Sequence, residues 1–308
     1  MDSLARLLAE AWPLPFGILP VLLSVKKSLA SAQPGTPAIK FDVIMRFNPK
    51  HKIKTTLGLG RNPDFLVIGA AKCGTSSLMQ YLEKYASNYS PPLVKEARYF
   101  TEYNHLPVNH YRANFNGFNK RITGEGTPDY LYYPLAPKLI KEYNQVTKFV
   151  VILRDPVKRA FSQYMFQNYI NKSEISDPMS FSKAIRQLDQ RFFADDSTRF
   201  YSEYKHFSYI QRGYYYDQLK RWYSYFSPDQ FHVMFLEELS DNFSLEMQKL
   251  FTFLGLKHNG VPFKQQVYNK SSHVGLPQLQ PEDATFLGEV FREPNDMLFE
   301  LLKKDSIW

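Results

Sequence analysis

Short apolar runs alternate with amphipathic segments from about residue 61 onward. Residues 65–68 are consecutive apolar side chains, a pattern typical of a buried strand, and a turn containing glycine follows them. In residues 77–85 the apolar side chains recur at helical spacing and fall on one face. This pattern predicts a strand, a turn and an amphipathic helix in succession.

Two further pairs of a strand and a helix follow. Residues 148–153 are nearly all apolar or β-branched, and residues 157–169 have helical spacing. Residues 231–236 predict a third strand, and the helix predicted over residues 245–254 ends at Gly255, a residue favoured just after helices. Strands that alternate with helices predict an α/β fold, a three-layer sandwich in which a central parallel sheet is covered on both faces.

Residues 1–60 differ from the rest of the chain. The stretch 11–25 is apolar and uncharged, but it is short and contains three prolines, whereas a spanning helix needs roughly 20 apolar residues. Two lysines and the small-residue run 30–32 follow, as at a signal-peptide cleavage site. We therefore expect an N-terminal arm with a candidate signal or short membrane anchor, or an arm with neither role, followed by one domain over residues 61–308.

Composition and charge narrow the class of partner. The chain has 308 residues, of which 44% are hydrophobic and 22% charged, as in soluble globular proteins. Its formal net charge of +8 attracts anions, but it has no run of five basic residues, so a nucleic-acid partner is not indicated. The single cysteine, Cys73, excludes an intrachain disulfide and a zinc site built from thiolates.

The turn after the first strand carries the most specific motif. Residues 69–77 read Gly-Ala-Ala-Lys-Cys-Gly-Thr-Ser-Ser. Gly74 lets the backbone come close to a ligand, and the N–H groups that begin the next helix favour a phosphate. Gly69 and Gly74 have the spacing of P-loop glycines, but Thr75 stands where that motif has lysine, and Lys72 lies inside the loop instead. The fold is thus predicted to be P-loop-like, with a site for one 5′ phosphate that bears a reactive group.

A second group of polar residues follows the second strand. Arg154 comes at the carboxyl end of that strand, where open α/β sheets bind ligands, and Arg159 and Ser162 follow on the helix. Arginine offers paired, charge-assisted donors to a phosphate. Arg154 and Ser162 therefore predict a second phosphate site, although a salt bridge from Arg154 to Asp155 is the alternative.

The two phosphate segments resemble the 5′- and 3′-phosphate loops of sulfotransferases that use PAPS (3′-phosphoadenylyl sulfate). The resemblance is greatest to the carbohydrate enzymes of the heparan and chondroitin type, and it covers residues 61–308. It implies transfer of a sulfuryl group from PAPS to an acceptor hydroxyl, with a glycan as the favoured acceptor and PAP (adenosine 3′,5′-bisphosphate) as the product. Further similar segments occur in the same order, at residues 95–100, 124–131, 212–222 and 291–295.

The resemblance also implies roles for individual residues. Lys72 would stabilise charge on the departing PAP, and Glu96 would be the base that accepts the acceptor proton. Lys95 and Arg98 would keep that carboxylate ionised, and His105 is the alternative base. No metal is required. The donor-binding residues would be Lys72, Cys73, Gly74, Thr75, Ser76, Ser77, Arg154 and Ser162.

Two positions depart from the family pattern. Gly126 stands where these enzymes often have a lysine that acts at the acceptor, and residues 272–274 stand where they often have Lys-Gly-Arg. The tyrosine-rich stretch 199–216 predicts either an acceptor surface or a helix buried on one face.

Other interpretations stay open. A small-molecule kinase with an irregular P-loop would need a carboxylate for Mg²⁺ at a strand end, and a non-catalytic protein would bind PAP or a glycan without turnover. A Golgi or secretory location, with weak membrane association through the N-terminus, is expected; a cytoplasmic location is the alternative. Four N-x-[ST] sites would matter only in the secretory case, at Asn88, Asn171, Asn242 and Asn269.

Overall fold

The computed structural model describes residues 49–117, 121–143, 148–170, 176–187, 206–266 and 277–308. Several sequence predictions fall outside these ranges: the candidate signal or anchor at 11–25, the departure at 272–274, and the N-x-[ST] sites at Asn171 and Asn269. In the tyrosine-rich stretch, residues 206–216 are described.

The strands are β1 (Phe65–Gly69), β2 (Gly124–Glu125), β3 (Lys148–Leu153) and β4 (Phe231–Phe235). The helices are α1 (Pro49–Leu57), α2 (Thr75–Tyr85), α3 (Val108–Arg112), α4 (Ala136–Tyr143), α5 (Pro156–Met165), α6 (Phe181–Arg186), α7 (Tyr215–Tyr223), α8 (Leu236–Asp241), α9 (Phe243–Leu254) and α10 (Pro281–Leu302). Two π-helical segments, Tyr99–Tyr103 and Phe166–Ile170, and two 3₁₀ turns, Gln211–Gly213 and Pro228–Gln230, complete the described elements.

The four strands form one parallel sheet in the order β2-β1-β3-β4. Phe65 of β1 pairs with Gly124 of β2 on one side and with Lys148 of β3 on the other. Every residue of β1 is buried, and so is every residue of β3 after Lys148. Since neighbouring side chains on a strand point to opposite faces, both faces of the sheet are covered. The predicted α/β fold with a central parallel sheet is confirmed.

Some predicted boundaries differ from the structure. The third strand ends at Phe235, because Leu236 begins α8. The helix predicted over residues 157–169 ends as an α-helix at Met165 and continues as the π-helical segment Phe166–Ile170. β2 was not predicted, since two residues carry no periodic signal and its pairing with β1 depends on residues far apart in the chain.

A second apolar cluster fixes α5, the helix that carries Ser162. It joins side chains of α5, α6 and α10 beside the main core around the sheet. Gly213 is required for this packing, because a Cβ atom there would come within 2.6 Å of the Phe291 ring. The two similar segments that begin at residues 212 and 291 therefore meet in space and help to hold α5 in place.

α1 lies in the segment predicted as an N-terminal arm. Its His51 is buried, and the Nε2 atom lies 2.9 Å from the carbonyl oxygen of His110 on α3. The division of the chain at residue 60 stays a prediction. Within the described ranges, no helix combines the length and apolarity needed to cross a bilayer.

Candidate functional site

The loop between β1 and α2 turns through two left-handed residues. Lys72 has a φ of 70° and Gly74 a φ of 94°, a region that glycine enters without the steric cost that other residues meet. Gly74 precedes the first residue of α2 and has no side chain with which to cap it. The N–H groups of the first turn of α2 therefore receive no side-chain cap at Gly74, the position where the sequence predicts a phosphate.

The Lys72 side chain rests on an aromatic ring. Its Nζ atom lies 3.6 Å from the centroid of Phe166, in the π-helical segment after α5. Burial, and then the nearby Arg154 charge, lower the pKa of the Lys72 ammonium to about 8. An anion bound beside this amine would offset both effects.

Arg154 links the two loops at the carboxyl edge of the sheet. Its Nη1 atom donates to the carbonyl oxygen of Lys72 over 3.4 Å. The Tyr215 hydroxyl donates to the carbonyl oxygen of Arg154 at 2.9 Å and lies 3.6 Å from Cys73 Sγ. Burial raises the pKa of the Cys73 thiol to about 11, so this residue packs under the loop as a neutral thiol.

Asp155 acts as the N-cap of α5. Its Oδ1 atom accepts from the Val157 amide at 2.9 Å, and Lys158 lies 3.6 Å from Oδ2. Among the described residues Arg154 forms no ion pair, with Asp155 or any other carboxylate, so the salt-bridge alternative is not what the structure has. Ser162 follows on α5 and is half-buried.

Arg159 is a wholly buried cation on α5. Nη1 donates to Gln163 Oε1 at 2.6 Å, and Nη2 donates to the Tyr209 carbonyl. Within the described part of the chain its Nε atom has no hydrogen-bond partner. Burial lowers the pKa of Arg159, and its charge also disfavours the protonated form of Lys72. Among the described residues no carboxylate pairs with Arg159, so its charge under the loop is not balanced there.

Glu96 lies beside the first turn of α2. Lys95 Nζ donates to Ser76 Oγ at 2.6 Å and to Glu96 Oε1 at 2.9 Å. Arg98 Nη2 donates to Glu96 Oε2 at 3.2 Å. The Glu96 carboxylate is thus fixed between two cations, and Lys95 joins it to the phosphate loop. The predicted catalytic pair therefore lies at neighbouring positions: Lys72 is in the loop that leads into α2, and Lys95 ties the Glu96 carboxylate to Ser76 in the first turn of that helix.

Glu125 is a site neighbour for which the sequence indicated no role. It is wholly buried on β2. Its Oε2 atom accepts from Thr127 Oγ1 at 2.6 Å and from the Ala97 amide at 3.2 Å, and Oε1 accepts from the Tyr130 hydroxyl at 2.8 Å. Burial raises the pKa of Glu125 to about 7. The signal that could have identified it is an acidic residue between two glycines, with hydroxyl residues two and five positions later, inside the similar segment 124–131.

Other predicted residues lie apart from this cluster or belong to the core. His105 is exposed, and its ring contact is with Tyr103 at 6.5 Å. Tyr209 and Tyr215 are buried, which favours the packing interpretation for that part of the tyrosine-rich stretch. At Gly126, a Cβ atom would lie 3.1 Å from Met79 Cγ, so packing fills the position where a lysine was expected from the resemblance.

Metal-ligating side chains do not gather in the parts of the chain described above. No group of three His, Cys, Asp or Glu residues there could hold a metal ion.

Comparison with known proteins identifies relatives of this arrangement. A family model described as "Sulfotransferase domain" matches residues 62–280. A membrane-associated sulfotransferase of Dictyostelium discoideum is 25% identical, over 80% of this chain and 66% of its own length. The heparan sulfate glucosamine 3-O-sulfotransferase 3A1 of Mus musculus is 29% identical, over 75% of this chain and 51% of its own. The chain thus spans between half and two thirds of these relatives.

A solved structure shares the fold. The sulfotransferase from Alicyclobacillus acidocaldarius superposes with a TM-score of 0.64 at 26% identity, covering 80% of this chain and 98% of that one.

Proposed function

The chain belongs to the sulfotransferase domain family, and we propose that it transfers a sulfuryl group from PAPS to an acceptor hydroxyl and releases PAP. One observation carries the proposal: two cationic loops meet at the carboxyl edge of the sheet, where Arg154 Nη1 donates to the Lys72 carbonyl over 3.4 Å. A donor with phosphates at both the 5′ and the 3′ position suits a site with two such loops.

The residues present fit such a donor. The first turn of α2, from Thr75 through Ser77, offers backbone N–H groups and hydroxyls to a 5′ phosphate. Arg154 and Ser162 would hold the 3′ phosphate. The buried Arg159, with its unpartnered Nε among the described atoms, supports the fit because it leaves positive charge under the loop.

In the reaction, PAPS supplies an activated sulfuryl group on its 5′ phosphate. Glu96 accepts the proton of the acceptor hydroxyl while the acceptor oxygen forms a bond to sulfur. The bond from sulfur to the bridging phosphate oxygen breaks, and its electron pair stays with PAP. Lys72 stabilises the negative charge that develops on that oxygen. Lys95 orients Glu96 by bonding both its carboxylate and Ser76 Oγ.

We propose a carbohydrate hydroxyl as the acceptor, because heparan sulfate enzymes are among the relatives. A kinase is less well supported: the carboxylate at the end of β3 belongs to Asp155, which caps α5 and is paired with Lys158. Such a carboxylate is not available to a Mg²⁺ ion without loss of the cap.

A Golgi or secretory location is proposed on the same relatives, one of which is named as membrane-associated. Of the two N-x-[ST] sites that the structure describes, Asn242 is exposed and suits a glycan. Asn88 suits one less, since its Nδ2 atom donates to the Gly255 carbonyl at 3.3 Å.

The function is tested with PAP and with labelled PAPS. PAP should raise the melting temperature of the protein, and labelled sulfur should pass from PAPS to at least one member of a panel of hydroxyl acceptors that includes desulfated heparan. Absence of a thermal shift with PAP and PAPS would sink the proposal. A thermal shift without transfer to any acceptor would instead favour a non-catalytic PAP-binding protein.

Substitution of Arg154 by alanine is expected to weaken PAP binding about tenfold to a hundredfold, because a charge-assisted hydrogen bond contributes about 1.5–3 kcal/mol. Ser162→Ala should weaken it by less than tenfold, as expected for a neutral hydroxyl. Isothermal titration measures both dissociation constants. Lys158→Ala is the matched control, since Lys158 is an exposed cation on α5, the helix that carries Ser162. An equal loss of PAP affinity in Lys158→Ala would show that PAP responds to the net positive charge of the surface and not to a specific site.

The affinity for PAP is expected to fall as pH rises through about 8. Only the protonated Lys72 amine attracts the anion. The attraction is therefore complete below the Lys72 pKa of about 8, and it is lost as the amine loses its proton at higher pH. Titrations from pH 7 to 9.5 measure the effect. Lys72→Arg, which stays charged, should remove most of this dependence; a wild-type affinity that is constant over the range would contradict the assignment.

A further inference from the structure

Glu125 is a buried carboxylate that only neutral donors satisfy in the described part of the chain. Three hydrogen bonds come from Thr127, Tyr130 and the Ala97 amide, and a fourth, longer one comes from the Tyr111 hydroxyl at 3.5 Å. None of the ion pairs among the described residues includes it. Burying a carboxylate in this way is costly unless its hydrogen bonds are all made. The Glu125 carboxylate is therefore expected to fix the segments that donate hydrogen bonds to it.

Those hydrogen bonds hold the segment that carries Glu96. The Gly126 amide donates to the Lys95 carbonyl at 3.0 Å, the Ala97 amide donates to Glu125, and the Arg98 amide donates to Thr127 Oγ1 at 3.1 Å. Thr127 in turn donates from the same hydroxyl to Glu125. Residues 95–98 are thus tied to residues 125–127 at three points, on both sides of Glu96.

The segment needs such a restraint because of its backbone. Arg98 has a φ of 50°, a left-handed conformation that is unfavourable for a residue with a side chain. Residues in such conformations persist where surrounding contacts fix them. Glu125 accepts a hydrogen bond from the amide of Ala97, the residue before Arg98. Thr127 accepts one from the amide of Arg98 itself.

We propose that Glu125 is a positioning residue, which fixes the backbone directly after Glu96 so that the Glu96 carboxylate faces the first turn of α2. The proposal rests on the proposed function in one respect, since it takes Glu96 as the base. Glu125 itself touches no reacting atom; it acts through the Ala97 amide and Thr127.

Protonation of Glu125 leaves this geometry intact but changes the local charge. The titratable groups that face it are the hydroxyls of Tyr111 and Tyr130, the Tyr89 side chain and the Glu96 carboxylate. A proton on Oε1 can be donated to either of the first two hydroxyls, which reverse their roles, while Oε2 still accepts from Ala97. Ionised Glu125 adds a negative charge near the carboxylate that accepts the proton of the acceptor hydroxyl, so kcat should rise as pH passes through about 7.

Glu125→Gln and Glu125→Ala separate the two effects. Glutamine can accept from Ala97 with its oxygen and donate to the tyrosine hydroxyls, so this variant should match the wild-type kcat at pH 6 and lose the rise through pH 7. Alanine removes the restraint and should lower kcat about a hundredfold, as small misplacements of catalytic groups do. The KM for PAPS and the dissociation constant of PAP should not change in either variant.

Milder variants cover the case in which Glu125→Ala does not fold. Tyr130→Phe removes a donor to Glu125, and Thr127→Val removes the hydroxyl that bridges Glu125 and Arg98. Both should lower kcat with PAP binding unchanged. Tyr89→Phe is the matched control, because the hydrogen bond that it removes goes to the Gly124 carbonyl, at 3.2 Å, and not to the Glu125 carboxylate or to residues 95–98. A loss in Tyr89→Phe equal to that in Tyr130→Phe would overturn the proposal.

Amide hydrogen exchange gives a readout that does not depend on catalysis. Exchange at Ala97 and Arg98 should accelerate in Thr127→Val and Tyr130→Phe, but not in Tyr89→Phe. The positioning role is overturned if exchange at Ala97 and Arg98 is the same in Thr127→Val and Tyr130→Phe as in the wild type. It is also overturned if these two variants keep the wild-type kcat although Glu96→Gln inactivates the enzyme. If the exchange rates change as expected but the wild type transfers no sulfuryl group, the role of Glu125 stands and the proposed function fails.

Discussion

Lys72→Met is expected to lower kcat for sulfuryl transfer by about 10²- to 10³-fold, the usual cost of removing a donor that stabilises transition-state charge. The effect should be large because the amine is buried, where a charge interacts more strongly than in water. Methionine retains the length of the side chain and can still pack on the Phe166 ring. Initial rates with labelled PAPS at saturating donor and acceptor measure the change.

Two companion variants test whether the charge of Lys72 is the cause. Lys72→Arg retains the charge but not the shape, and should recover part of the lost rate. Phe166→Leu removes the ring on which Nζ rests and should alter KM for PAPS more than kcat, because the ring contacts the amine and not a reacting atom. A Lys72→Met enzyme with the wild-type kcat would show that another group stabilises the leaving oxygen.

Glu96→Gln should lower kcat by about 10²- to 10⁴-fold, the range for loss of a general base. The amide keeps the shape of the side chain and can still accept from one of the two cations beside it, Lys95 and Arg98. PAP binding should therefore survive, which separates a lost base from a damaged donor site. Rates at saturating PAPS, together with the dissociation constant of PAP, measure the two properties.

Glu102→Gln is a matched control, since Glu102 Oε1 lies 3.7 Å from Arg98 Nη1 and shares that cation with Glu96. Its kcat should stay near that of the wild type. His105→Ala should also be active, because the ring is exposed. Loss of activity in His105→Ala with retention in Glu96→Gln would reverse the assignment of the base.

The sheet was predictable where burial is continuous along the sequence. β1 and β3 are almost wholly apolar because both faces of the sheet are covered. Such a run of apolar residues can be recognised from a few consecutive positions of the sequence. β2 leaves none, since its two residues form a strand only by pairing with Phe65 and Leu66. The start of the π-helical segment after Met165 likewise has no sequence pattern to distinguish it from a continued α-helix.

The donor side of the site was more predictable than the support behind Glu96. Lys72 and Arg154 follow adjacent strands, so the topology alone brings their loops together. The hydrogen bonds of Glu125 were not predicted, because they join residues 97 and 125, which only the folded chain brings together. Among the described residues, the unpartnered Nε of the buried Arg159 is likewise a property of the packed structure.

The contact at Gly126 constrains how this chain can diverge. Met79 lies so close that a side chain at 126 would shift it by a few tenths of an ångström, with a Cβ at 3.1 Å from Cγ and at 3.3 Å from the sulfur. Met79 is itself nearly inaccessible on α2 and belongs to the core around the sheet. A lysine at 126 is therefore coupled to the packing of residue 79, and its effect on stability depends on whether Met79 can shift within the core.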